Sequence, residues 1–170
     1  VKQVFLLNPN YAYGQEVSRA ARSMLAAKRP DLKIVGDDFH PLGQVKDYSP
    51  YIAKIKQSGA DAVITADFGA DLALIVRAAR EAGLNTDFYT LNGNNFGVPS
   101  AMGAAGQGRV KLISAFSPNS EPLMSSPLLP GFKRQFNEDF INGLGHNAML
   151  MLAQAMREAK SVEPGAVAAR

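Results

Sequence analysis

The sequence predicts an α/β fold: a doubly wound parallel sheet with helices on both faces. Three observations carry this. Short apolar runs recur, amphipathic helical patterns fall between them, and the connections are short, as in strand–helix–strand units. The 170 residues suit one domain, and a 46% hydrophobic composition is enough to build a core.

Val4 to Leu7 forms the first run, and Asn8-Pro9-Asn10 stops it with turn chemistry. Val17, Ala20, Ala21, Met24 and Leu25 follow at helical spacing and predict a core-facing helix ending near Arg29-Pro30. Ile34 and Val35 predict a second strand, closed or bulged by Gly36-Asp37-Asp38. Ser49-Pro50 reads as an N-cap and first helical position, Ile52 and Ile55 as the core face of that helix, and Gly59 as its end. Asp61 to Thr65 predicts a third strand buried on both faces. Leu72, Ile75, Val76 and Ala79 predict a helix stopped at Gly83. Phe88 to Leu91 and Val110 to Phe116 predict the fourth and fifth strands. With strands near 3–8, 33–39, 61–66, 87–91 and 110–116, the expected spatial order is 2-1-3-4-5.

The final third breaks this rhythm. Its prolines and serines predict a surface loop over 117–130. Phe132, Phe136 and Phe140 predict a helix, as do Met149, Leu152, Ala153 and Met156, and Pro164 opens one more.

Composition removes several function classes. The balance of 18 basic against 15 acidic residues gives +3, and the cations are scattered, which argues against nucleic acid as a partner. The absence of cysteine excludes disulfides and thiolate chemistry and fits an oxidising compartment. No apolar run reaches the roughly 18 residues of a membrane span, and no signal-peptide pattern opens the chain. His40 and His146 each stand alone in sequence, so neither a metal site nor a catalytic triad is expected. Gly103-x-x-Gly106-x-Gly108 has the wrong order for a dinucleotide fingerprint and precedes a strand, and no phosphate-binding loop is present. No cofactor is implied. Asp37 and Asp38 read as solvated or capping groups.

Ligands of open α/β sheets lie beyond the carboxyl ends of the strands. Three such ends carry aromatic and amide groups. Asn8, Asn10, Tyr11, Tyr13 and Gly14 follow the first strand, Asp67, Phe68 and Asp71 the third, and Asn92, Asn94, Asn95 and Phe96 the fourth. Turn geometry alone accounts for Asn and Gly at any one of these positions. Clustered beside helix N-termini, they suit a small ligand with an apolar body and an anionic end. This is a binding module rather than a catalyst.

Several motifs occur in a familiar order: Tyr13-Gly14-Gln15-Glu16, Lys46-Asp47-Tyr48-Ser49-Pro50-Tyr51-Ile52, Ser58-Gly59-Ala60-Asp61-Ala62-Val63 and Arg77-Ala78-Ala79-Arg80-Glu81-Ala82-Gly83-Leu84. Across most of its length the chain resembles the branched-chain amino-acid type of periplasmic solute-binding protein. The resemblance implies a type I periplasmic binding protein lobe, with residues 1–170 as the second lobe alone. The first lobe and the closing crossover segment would then be absent. It also implies a periplasmic receptor without enzymatic activity that delivers a small solute to the membrane permease of an ABC importer. An exposed inter-lobe face of this kind invites self-association. A ligand-sensing domain of a regulator shares the architecture and is the alternative.

The family's pocket tyrosine falls on Tyr13 and its pocket aromatic on or next to Phe68. Its ammonium-binding acid falls on Asn92, where an amide stands instead. That departure makes a carboxylate or carbonyl solute at least as good a fit as an amino acid. Asp67 or Asp71 is the candidate replacement for the missing charge, and Asn8 and Tyr11 complete the expected ligand-binding set.

Overall fold

The computed structural model describes residues 1–114, 128–137 and 143–170. Five strands form one parallel sheet: β1 (Gln3–Pro9), β2 (Lys33–His40), β3 (Ala62–Thr65), β4 (Asp87–Thr90) and β5 (Val110–Leu112). Their order is β2-β1-β3-β4-β5, as expected. The helices between them are α1 (Ala12–Lys28), α2 (Ser49–Ser58), α3 (Gly69–Glu81) and the short α4 (Val98–Met102), which a 3₁₀ turn, Gly103–Ala105, follows.

Side chains alternate across the sheet, which gives it two apolar faces. Phe5, Leu7, Val63 and Phe88 point to one side and pack with Ile52 and Ile55 of α2 and Leu72, Ile75, Val76 and Ala79 of α3. Val4, Leu6 and Ala62 point to the other, where Ala21 and Leu25 of α1 meet Ile34, Ile64 and Tyr89. Helices therefore cover both faces, though unequally. The α1 stripe was expected to be core, yet Met24 is 53% exposed and Leu91 43%. Val17, Ala20, Ala21, Met24, Ile64 and Tyr89 instead line an open apolar groove of about 460 Å³. Gly14 and Ser18 are the buried residues of α1.

The β1–β2 register shifts between Val4 and Phe5, where the partner jumps from Ile34 to Gly36. This is the bulge suggested by Gly36-Asp37-Asp38. Glycine is required there because a β-carbon on Gly36 would overlap the Phe5 ring.

Three boundaries differ from expectation. The cap of α2 is Tyr48, with Ser49 already helical, and the Ser49 N–H donates to Asp47 Oδ1 at 2.9 Å. Asp47 thus takes the side-chain role assigned to Ser49. β5 ends at Leu112, although the Ile113 N–H still bonds the Thr90 carbonyl at 3.0 Å, and residues 115 and 116 of the expected strand lie outside the described residues. Of the loop expected over 117–130, residues 117–127 lie outside the described residues and 128–130 are helical, in α5 (Leu128–Phe136). Pro130 is tolerated there, since a first-turn N–H has no helical acceptor.

Contacts divide the chain into two compact units, Val1–Ser114 and Ala115–Arg170. The sequence reading takes residues 1–170 as a single lobe. The described sheet lies wholly in the first unit, and the second contributes α5, α6 (Gly143–Ala159) and α7 (Pro164–Ala168). Within the second unit the Phe132 and Phe136 rings stack with centroids 4.6 Å apart, as their spacing predicts, and α6 contacts α7. Phe140 lies outside the described residues. No described helix is long and apolar enough to cross a membrane.

Candidate functional site

The carboxyl ends of β1, β3 and β4 lie side by side in the sheet and bring the candidate residues to one rim. β1 ends in the buried Asn8, whose Oδ1 accepts the Ala66 N–H at 2.8 Å. Asn8 therefore ties the ends of β1 and β3 together. Its Nδ2 finds no partner among the described residues.

The chain then turns into α1. The Tyr11 N–H donates to the Pro9 carbonyl at 2.9 Å, and Tyr11 caps the helix without a side-chain hydrogen bond. Gly14 makes this turn possible, since a β-carbon there would run into the Pro9 carbonyl. The first turn of α1 carries no acidic residue, so its positive end stays open on the rim. Tyr11 and Tyr13 stand with ring centroids 6.1 Å apart, tilted by 56°. Burial, then the neighbouring Tyr13 and the charge of Asp67, push the Tyr11 phenol above its ordinary range, so it stays a hydrogen-bond donor at neutral pH.

Asn92, just beyond β4, completes the group. Its Nδ2 donates to the Ala66 carbonyl and to the Tyr13 hydroxyl, both at 3.3 Å. The carbonyl fixes the orientation of the amide, because a backbone oxygen can only accept. With its oxygen accepting from Asn92, Tyr13 has its hydroxyl hydrogen free to point at a ligand. Asn92 thus orients Tyr13, while its own donor atoms are spent inside the protein. The sequence places Asn92 in the expected ligand-binding set, and both of its Nδ2 hydrogens have internal partners.

Phe68 is the half-buried cap residue of α3, one position beyond Asp67. Phe96, beyond β4, is 63% exposed.

Asp67 was expected to face the ligand and is instead fully buried. Its Oδ2 accepts from Thr65 Oγ1 at 2.6 Å, and its Oδ1 accepts from His40 Nε2 at 2.9 Å. Asp71 is also buried, with Oδ2 accepting the Gly43 N–H at 2.7 Å. The sequence gives no sign of His40, the residue that organises this cluster. It stands at the end of β2, 27 residues from Asp67. Its Nδ1 lies 3.2 Å from the Pro41 carbonyl and 3.3 Å from the Tyr48 hydroxyl. Burial, followed by the charges of Asp71 and Asp67, drives the Tyr48 phenol far above the usual range.

With a carboxylate at one ring nitrogen and a carbonyl at the other, only the imidazolium satisfies both acceptors. Burial pushes the His40 imidazole down, but the hydrogen bond and charge of Asp67, helped by the Pro41 carbonyl and Asp71, outweigh it and hold the group above the ordinary histidine range. Ligand atoms of His40, Asp67 and Asp71 lie within 4.8 Å of one another, a spacing a metal could use. Each residue already has an internal partner, so the cluster is satisfied as a hydrogen-bonded strut.

The geometry defines one class of fold: a doubly wound α/β module whose candidate residues gather on the carboxyl rim. The whole chain, residues 1–170, matches the periplasmic binding protein family, and it belongs to that family. It is 30% identical over 173 aligned residues to Leu/Ile/Val-binding protein homolog 4 of Brucella abortus, covering 96% of this chain and 38% of that protein. The chain therefore spans well under half of this relative. Among solved structures it superposes on the leucine-, isoleucine-, valine-, threonine- and alanine-binding protein of Brucella ovis, with a TM-score of 0.77 and 24% identity over 96% of this chain and 42% of that one. A solute-binding protein from R. palustris in complex with benzoate gives 0.78 and 19% identity over 98% and 46%. These two likenesses show the fold.

Proposed function

We propose that the chain is the ligand-gripping part of an extracytoplasmic receptor that passes a small carboxylate or amino-acid-like solute to the permease of an ABC importer. The observation that carries this reading is the Tyr13 hydroxyl, whose oxygen accepts from Asn92 Nδ2 at 3.3 Å and so keeps its own hydrogen to donate, beside a start of α1 that has no side-chain cap. A hydroxyl hydrogen and a helix N-terminus together favour an anionic head group. Tyr11 and Phe68 supply apolar surface for the body of the solute. The related Brucella abortus protein is named for leucine, isoleucine and valine, and the R. palustris neighbour holds benzoate; all four compounds carry a carboxylate. Family membership supports an extracytoplasmic location. The rim with Tyr13, Phe68 and Phe96 would face a second lobe that closes over the solute, by the hinge motion such binders use.

A thermal-shift screen of the full-length protein against amino acids, their 2-oxo acids and substituted benzoates tests this. At least one compound should raise Tm and titrate in calorimetry with a Kd near ~1 μM, or about −8 kcal/mol. A protein that responds to none of them is not this kind of receptor.

A further inference from the structure

We propose that His40, buried behind the rim, sets the charge selectivity of the site by holding the Asp67 carboxylate inward, so that the rim favours a carboxylate or carbonyl head group over an ammonium. This rests on the receptor reading above and names its substrate class.

The geometry supplies each step. Asp67 and Asp71 are the acids that follow β3, where ligands of such sheets bind, yet they are 0% and 6% exposed. His40 is itself 0% exposed and donates to Asp67 Oδ1 at 2.9 Å, while Thr65 occupies the other oxygen. Its other ring nitrogen meets the Pro41 carbonyl and the hydroxyl of Tyr48, while the Gly43 N–H holds Asp71 Oδ2 at 2.7 Å. Every element packed around the ring contributes: Asp67 from the β3 end, Asp71 from α3, Tyr48 ahead of α2, and Tyr51 of α2 with its ring 5.9 Å away. On the ligand side stand the Tyr13 and Tyr11 hydroxyls and the open end of α1. With Asp67 and Asp71 buried, an ammonium entering there finds neither of these carboxylates exposed, whereas a carboxylate or 2-oxo group meets donors. His40 touches no solute, so it is a positioning residue.

The experiment compares matched pairs on the full-length protein by calorimetry: 4-methyl-2-oxopentanoate against leucine, and phenylpyruvate against phenylalanine. Wild type should bind the 2-oxo acid of at least one pair more tightly. In His40→Gln the ratio of 2-oxo acid to amino acid affinity should fall by about tenfold, the worth of one charge-assisted hydrogen bond. Adding Asp67→Asn to that variant removes the uncompensated charge and should restore the ratio, which a purely structural role would not do. Should His40→Gln fail to fold, the wild-type ratio, followed from about pH 6 to about pH 8.5, decides. It should fall as His40 loses its proton.

A wild-type preference for the amino acids, a ratio that ignores both His40→Gln and pH, or a double variant that stays like the single one would overturn the proposal and leave the receptor reading standing. Failure of every amino acid, 2-oxo acid and benzoate to bind would overturn both.

Discussion

The Asn92 amide nitrogen and the Tyr13 hydroxyl lie 3.3 Å apart, although 79 residues separate them in the chain. The same nitrogen is 3.3 Å from the Ala66 carbonyl, so one side chain beyond β4 joins the start of α1 to the end of β3. Its chemistry is directional: the amide gives both hydrogens inward and leaves Tyr13 to donate outward. An acid at this position would accept from Tyr13 and turn that hydroxyl away from the solute.

Asn92→Asp should therefore weaken a carboxylate or 2-oxo acid by about tenfold and improve the matching amino acid, which gains a charged partner. The substitution also sets a carboxylate oxygen against the Ala66 carbonyl, which should cost about 1–3 kcal/mol of stability. Calorimetry on the matched pairs checks the first effect and urea unfolding the second.

The His40–Asp67 contact makes stability depend on pH in a definite direction. The folded-state pKa of His40 is raised above its unfolded value. Its stabilising contribution is thus fully present below the unfolded pKa of about 6.5 and is lost as pH rises through the higher folded value. Urea unfolding of the wild type and of His40→Gln across that window should show their stability difference shrinking with rising pH. A difference that grows with pH would mean the pair is not charged as the geometry requires.

Gly14 links stability to the site. Gly14→Ala drives a methyl group into the Pro9 carbonyl, which is backbone and cannot swing aside. The start of α1 must move away from β1, at a cost of about 1–3 kcal/mol. Because Tyr13 is the preceding residue, solute affinity should fall more than the same loss of stability placed elsewhere would explain. Comparing Gly14→Ala with a core substitution of equal Tm loss, such as Ile75→Val, separates the two effects.

Much of the fold was legible because it rests on local patterns. Val4-Phe5-Leu6-Leu7 is apolar at every position since both of its faces are covered, and Leu72, Ile75, Val76 and Ala79 repeat at helical spacing because one face of α3 is buried. The order of the strands follows from the short crossovers. The site was only half legible. Tyr13 and Asn92 could be placed on the rim from their positions after β1 and β4, but the direction of the Asn92 amide is set by Ala66, which no local pattern reveals. Asp67 looked like a ligand acid because it stands in the right loop. Its inward turn depends on a histidine from another strand, and His40 looked inert because its partners lie 8 and 27 residues away. The α1 stripe misled in the opposite way: its periodicity reports an apolar face, not whether anything covers it.

The measurement that bears most directly on the whole account is calorimetry of the full-length protein and its Tyr13→Phe variant with the tightest solute from the screen. Removing one hydroxyl leaves the ring in place and takes away the hydrogen offered to the solute together with the oxygen that accepts from Asn92. The account predicts saturable binding by the wild type and a loss of about tenfold or more in the variant, the worth of a hydrogen bond to a charged group. Equal affinity in the two proteins would contradict it, because the solute would then be held somewhere other than this rim.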